Sequence, residues 1–207
     1  NGKELNPRFY IQGCLYGNSS GTGNGDIVQT ALSQVGTLET PVNQVMYNDW
    51  FYGTHVSGSG YPWCAAFVSW CADQNGFIDA GIVPKVASCT AYRDFYSARG
   101  QFHRANTGYI PKSGDFVLFS SSGYPMGGAH IGIVISCDGS KVYTVEGNTS
   151  DGNGFNANGG GVWTKSHAFT PGTTISGIWG YCSPTYPESS GSTTEPPAGA
   201  VKIGHYQ

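Results

Sequence analysis

The order of apolar and polar residues changes period near the middle of the chain. In the first half, Ile27, Val28, Ala31, Leu32 and Val35 recur at helical spacing between Asp26, a helix-capping residue type, and Gly36, which predicts an amphipathic helix. A second helix is predicted from about Trp63 to Asn75, introduced by Pro62 and stopped by Gly76. Along it Cys64, Phe67, Val68 and Cys71 form one apolar stripe that must face a core. From residue 116 onward the period becomes two, over Phe116 to Phe119, Ala129 to Ser136, Lys141 to Glu146, Gly161 to Thr164 and Ile178 to Cys182. Helices first and strands after predict an α+β domain, its N-terminal helices packed on an antiparallel β-sheet of about five or six strands.

The flanks and connections read differently. Residues 1–25 are polar and end in a Gly-rich stretch from Asn18, which predicts an N-terminal arm that Cys14 could pin; residues 26–183 form the domain. Residues 184–207, rich in Ser, Thr, Pro and Gly, bury too little apolar surface to fold alone and read as a linker or tail, with a further segment expected beyond. Residues 41–62 and 77–110 show no sustained period.

The chemistry concentrates at two places. Cys64 opens the second helix, where unpaired backbone N–H groups and the helix dipole favour thiolate over thiol, and where its own N–H can donate to an oxyanion. On helix position alone the reading as a small core residue is the favoured one. The second place is a hairpin closed by Cys137-Asp138-Gly139-Ser140, which carries an Asp-Gly turn signal. If Cys137 faces Lys141, His130 stands opposite Asn148 and diagonal to Glu146, all three on one face. That set offers a base for Cys64 and two candidates to orient it. Taken singly, His130 is an ordinary strand histidine, Glu146 a strand end and Asn148 a turn residue; together beside a helix-N-terminal cysteine they point to catalysis. A one-residue slip would send them to opposite faces.

Composition narrows the partners. Ten Lys and Arg against thirteen Asp and Glu give a net charge of −3 without a basic cluster, which argues against nucleic acid. No apolar run approaches the roughly 18 residues of a membrane span, so no membrane insertion is expected. Charged residues are 11% and Gly numbers 32 of 207, a polar, uncharged composition that suits an exported protein. Six cysteines in no zinc-type spacing argue against a structural metal, and their pairing is not readable.

The segments YPWCAAFVSWCADQNGF (61–77), SGDFVLF (113–119), GAHIGIV (128–134) and VYTVEGNTS (142–150) resemble, in this order, the CHAP domain, the cysteine, histidine-dependent amidohydrolases and peptidases of the NlpC/P60-like, papain-related group. The resemblance extends over about residues 26–183. It implies Cys64 as nucleophile, His130 as general base, Glu146 as the residue that orients it and Asn148 as an accessory polar residue. It further implies hydrolysis of an amide bond in the peptide part of peptidoglycan by a secreted, cell-wall-associated enzyme without a cofactor, expected to act as a monomer. Some members bind calcium through an acidic loop ahead of the cysteine; residues 53–62 hold no carboxylate, so no metal is expected. The competing expectation is a non-catalytic wall-binding or surface-interaction domain on the same fold.

For substrate contacts the candidates are Trp63 beside the nucleophile, Tyr124 in the loop before His130, and Trp163 on a later strand. The polar loops 120–128 and 149–160 are candidates for substrate selection. His55, His103, His167 and His205 lack comparable partners and are expected at the surface; Asp115 is expected to be a turn or strand-start residue.

Overall fold

The structure, a computed structural model, describes residues 24–40, 42–120, 129–152, 159–175 and 177–187. Among the described residues four α-helices precede the sheet: α1 (Asn24–Ser33), α2 (Met46–Tyr52), α3 (Cys64–Asp73) and α4 (Cys89–Ser97). Six strands follow: β1 (Phe102–Arg104), β2 (Phe116–Phe119), β3 (His130–Cys137), β4 (Lys141–Thr149), β5 (Gly161–Ala168) and β6 (Ile178–Cys182). They pair antiparallel in the order β1-β6-β2-β3-β4-β5. The expected α+β architecture is therefore present. Helix α1 starts two residues earlier than the pattern predicts, which puts Asp26 in its first turn.

Helix α3 is buried around most of its circumference, from Cys64 through Ser69 and again at Cys71 and Ala72, and not along a single stripe. A helix apolar on nearly every side belongs in the middle of a core, and α1, α2, α4 and one sheet face surround it. Ser69, its buried polar residue, accepts from the Val86 N–H (3.1 Å) and shares a hydrogen bond with the Tyr92 hydroxyl (2.8 Å), tying α4 and the segment before it to α3.

Two helices lie where no period was evident. In α2 the fully buried Tyr47 packs on Trp63, Phe67 and Trp70, with ring centroids 5.5, 5.0 and 5.2 Å away. In α4 the Ser88 hydroxyl caps the Ala91 N–H (3.3 Å) and Cys89, Tyr92 and Tyr96 turn inward.

Both sheet faces are covered. Phe116, Leu118, Ile131, Ile133, Val145, Val162 and Cys182 meet the helices; Val117, Phe119, Val134, Val142, Ile178 and Tyr181 form a second cluster on the other side. The sheet curls around that second cluster. Phe119 on β2 and His167 on β5 lie three strand spacings apart, roughly 14 Å in a flat sheet, yet their ring centroids are 4.6 Å apart.

At its C-terminal end the described chain stays on the domain past Cys182. Tyr186 packs on Phe77 (4.9 Å between centroids), and its hydroxyl donates to the Gly114 carbonyl (2.7 Å), so the first residues assigned to the tail are held against the core.

Candidate active site

The hairpin register decides whether His130 and Glu146 can meet. Near the turn the strands are offset by one from the expected pairing, Cys137 facing Val142 and Ser136 facing Tyr143. A bulge between Val134 and Ser136 absorbs the offset. Beyond it Val134 faces Thr144 and Ile133 faces Val145, which is the expected pairing. Asp138 stabilises the displaced turn, its carboxylate accepting from the Ser140 and Lys141 N–H groups at 2.8 and 2.7 Å.

His130, the first residue of β3, is fully buried, and its Nε2 lies 2.9 Å from Oε2 of the equally buried Glu146. The other carboxylate oxygen, Oε1, takes His167 Nε2 at 2.6 Å and the Thr144 hydroxyl at 2.6 Å. One carboxylate thus receives three donors inside the curled sheet. His167 is 2% exposed, and the expectation that it is a surface residue is corrected. It escaped notice because the pattern ended β5 at Thr164, whereas the strand runs to Ala168.

Glu146 reaches His130 because of what stands opposite. A Cβ built on Gly132 would lie 2.6 Å from Glu146 Cγ, so only a glycine leaves room for the acid to cross the neighbouring strand. On the other sheet face a Cβ on Gly147 would lie 2.7 Å from the Trp63 ring and 2.8 Å from Phe67. That close approach brings β4 against the first turn of α3, where Cys64 sits.

Cys64 is buried and free, as are Cys71, Cys89 and Cys182; Cys137, also free, is half-buried. The Cys64 Sγ is 3.8 Å from Cys89 Sγ. Its pKa is well below that of an ordinary thiol. The largest cause is the hydrogen bond from the Cys89 thiol; burial opposes it, and the His130 hydrogen bond and charge and the Ala65 N–H add to the lowering. Cys89 is correspondingly raised, chiefly because it is hydrogen-bonded to Cys64. For His130 burial favours the neutral ring, but the hydrogen bonds to Cys64 and Glu146 outweigh it and raise the pKa to about 9. Burial would likewise raise Glu146, but His130 and His167 hold it down at about 2. The directions of these shifts favour a thiolate beside an imidazolium beside a carboxylate. With Nε2 on Glu146, Nδ1 is the ring nitrogen left to serve the sulfur.

The remaining candidates divide. Asn148 is buried in β4, with a left-handed backbone (φ 58°), and its carbonyl accepts from the Gly159 N–H at 3.0 Å; the acid on His130 Nε2 is Glu146. Trp63 is fully buried, which corrects the expectation that it walls a cleft; its indole N–H donates to Glu39 at 2.7 Å and fixes the start of α3. Trp163 is half-buried on β5, across from Glu146. Tyr124, Cys14, His205 and most of the loop 120–128 lie outside the described residues, as do residues 153–158 of the second loop.

Asp115 takes the Tyr109 hydroxyl and the Lys112 N–H, each at 2.8 Å, in keeping with a turn role. His55 is exposed beside Asp49 (3.0 Å), while His103 is half-buried, stacked on Tyr109 with 3.8 Å between centroids.

A cysteine at the start of a buried helix, facing a histidine and an acid on adjacent antiparallel strands, defines a Cys-His-Glu constellation of the kind found in cysteine hydrolases. The family model of the CHAP domain matches residues 56–148, a span that holds Cys64, His130, Glu146 and Asn148. No curated protein matches the chain. Among solved structures, that of Ly7917 is similar at 18% identity and TM-score 0.41, over 78% of this chain and 62% of that one. Ly7917 with the hydrolysing product of MDP gives 16% and 0.42 over the same shares. A wild-type endolysin, LysIME-EF1, gives 15% and 0.43 over 79% and 64%. The chain thus spans less than two thirds of each of them.

Proposed function

We propose that the protein is a cysteine peptidase or amidase that hydrolyses an amide bond in the peptide part of bacterial peptidoglycan. The observation that carries this reading is the His130 ring held between the Cys64 thiol and the Glu146 carboxylate, with the carboxylate itself fixed by three donors. The CHAP match over the same residues supports the substrate class.

In the proposed reaction the Cys64 thiolate attacks the amide carbonyl carbon, and the carbonyl electron pair moves onto oxygen. The N–H groups of the first turn of α3 have no acceptor within the helix and stabilise that oxyanion, the Cys64 N–H among them. Collapse breaks the C–N bond as the imidazolium gives its Nδ1 proton to the leaving amine, which leaves a thioester. His130, now neutral with its proton on Nε2 toward Glu146, takes a proton from water. The resulting attack releases the carboxylic acid and restores the thiolate. We assign the protein a secreted, wall-associated site of action as a monomer, in keeping with its Gly-rich, weakly charged composition.

The test is release of new amine and carboxyl termini from purified peptidoglycan, with the bond identified by mass spectrometry of the muropeptides. Cys64→Ala and His130→Ala are expected to abolish release while the far-UV circular dichroism stays native. Retained release in either variant overturns the assignment.

A further inference from the structure

A groove of about 550 Å³ is lined by Arg93, Asp94 and Ser97 of α4, Phe102 and Arg104 of β1, Thr107 and Trp179. Two relations place it next to the candidate active site. Arg93 lies four residues after Cys89 on the same helix face, roughly 6 Å along the axis, and Cys89 is the residue whose sulfur is 3.8 Å from that of Cys64. On the sheet, Phe119 faces His130 on one side and Ile178 on the other, so Ile178 stands two strand spacings, roughly 10 Å, from the histidine. Trp179 is the next residue, on the helix side. The groove therefore lies one helix turn from Cys89 and about two strand spacings from His130, along the seam between α4 and strands β1 and β6.

Its chemistry is selective. The Arg93 guanidinium lies 5.0 Å from the centre of the Trp179 ring, and Asp94 holds it by the Nε edge (2.6 Å), with Nη2 also on that carboxylate. Its remaining N–H donors stay directed away from Asp94. Phe102 stands edge-on to Trp179, centroids 5.6 Å apart, so the groove has an aromatic floor. Two arginines against one aspartate give the lining a net positive charge in a protein whose net charge is −3. A guanidinium fixed on an aromatic ring beside a second arginine matches a carboxylate attached to an apolar stem.

We infer that this groove is a specificity subsite that binds a carboxylate-bearing residue of an acidic peptide next to the bond being cut, with Arg93 and Arg104 as the recognising cations. The inference rests on the hydrolase reading for the identity of the peptide, but the binding itself can be read without turnover.

The probes are the synthetic peptide L-Ala-γ-D-Glu-L-Lys and the same peptide with the glutamyl α-carboxylate replaced by a carboxamide. In the Cys64→Ala protein, calorimetry is expected to give about tenfold or greater tighter binding of the acid form, the size of one charge-assisted contact in a half-buried site. Adding Arg93→Gln or Arg104→Gln should bring the two affinities together, while Arg93→Lys should keep part of the difference. In protein with Cys64 intact, Arg93→Gln should raise KM for acid-form substrate with little change in kcat. Equal binding of the two peptides, no binding of either, or an unaltered preference in both glutamine variants overturns the subsite. A carboxylate preference without any cleavage by the unaltered protein would sink the hydrolase reading and leave the groove standing; cleavage indifferent to both arginines would do the reverse.

Discussion

Replacing Glu146 by Gln keeps the side chain's shape and removes its charge. In the protein the two carboxylate oxygens accept from His130, His167 and Thr144. A glutamine has one oxygen to accept with, so its NH2 group must face at least one of those donors. Removing one partner of a buried ion pair costs on the order of 3–5 kcal/mol, and much of that falls on His130. Its pKa of about 9 exists because hydrogen bonds and charge from Cys64 and Glu146 outweigh burial. Without Glu146, burial pulls the ring toward its neutral form. The Cys64 thiolate then loses the charge of its imidazolium, and the Nε2 proton its acceptor. A triad acid replaced by its amide in serine proteases costs about 10⁴ in kcat, and a loss of about 10³ or more is expected here. The assay is the rate of Cys64 alkylation by iodoacetamide against pH, alongside kcat/KM on solubilised peptidoglycan. The Gln variant should show its acid limb displaced to higher pH, with circular dichroism unchanged. A limb that superimposes on that of the unaltered protein, with kcat/KM within about threefold, would refute the claim that Glu146 works through His130.

Other consequences follow from the same geometry. Gly132→Ala places a Cβ 2.6 Å from Glu146 Cγ and should displace the acid from His130, lowering kcat about a hundredfold at a stability cost of about 1–3 kcal/mol; stability loss with full activity would show that Glu146 need not cross there. Cys89→Ala removes the largest contribution to the lowered Cys64 pKa, so the alkylation limb should rise in pH, with Cys89→Ser intermediate; an unmoved limb would assign the acidity to His130 and the helix instead. Folding stability should itself depend on pH. Glu146, depressed from 4.5 to about 2, stabilises above pH 4.5 and loses this contribution as pH falls toward 2. His130, raised from 6.5 to about 9, stabilises below pH 6.5 and loses its contribution as pH rises through 9. Above pH 6.5 the lowered Cys64 offsets the His130 loss, because the folded thiolate–imidazolium pair and an unfolded thiol with a neutral imidazole hold the same single proton; the fall is therefore expected on the acid side, by the Glu146 contribution of roughly 3 kcal/mol, and a melting temperature unchanged between pH 4.5 and 2 would contradict it.

The parts of this site that were legible in the sequence are those set by short-range pattern. Cys64 at the start of a helix and the His130/Glu146 hairpin could be read from period and turn chemistry. The register beyond the turn came out as expected only because a bulge at Ile135 cancels a one-residue offset at the Asp138 turn. An extra strand residue leaves no mark in an alternating pattern this short. Helix α2 was hidden because four of its seven residues are aromatic with no helical spacing of apolar positions, and its contact, Tyr47 in the angle between Trp63 and Trp70, exists only once α3 is in place. Cys89 and His167 were hidden for a different reason. Each acts through a partner far away in sequence, 25 residues from Cys64 and 21 from Glu146, and no local periodicity encodes such a pairing.

The two glycines explain why the helix and the histidine meet at all. Gly132 and Gly147 leave space on opposite faces of neighbouring strands: Gly132 admits Glu146 inside the curl, and Gly147 admits Trp63 and Phe67 on the helix side. With a side chain at Gly147 the strand would stand off from α3, and the gap would open at the helix end that carries Cys64. With one at Gly132 the acid would be turned away from the ring it holds. Trp63, anchored to Glu39, transmits the first of these constraints to the residue immediately after it, the cysteine. Its burial is therefore a requirement for positioning the sulfur, and the aromatic surface available to substrate has to come from elsewhere, for which the Phe102 and Trp179 groove and the half-buried Trp163 are the candidates.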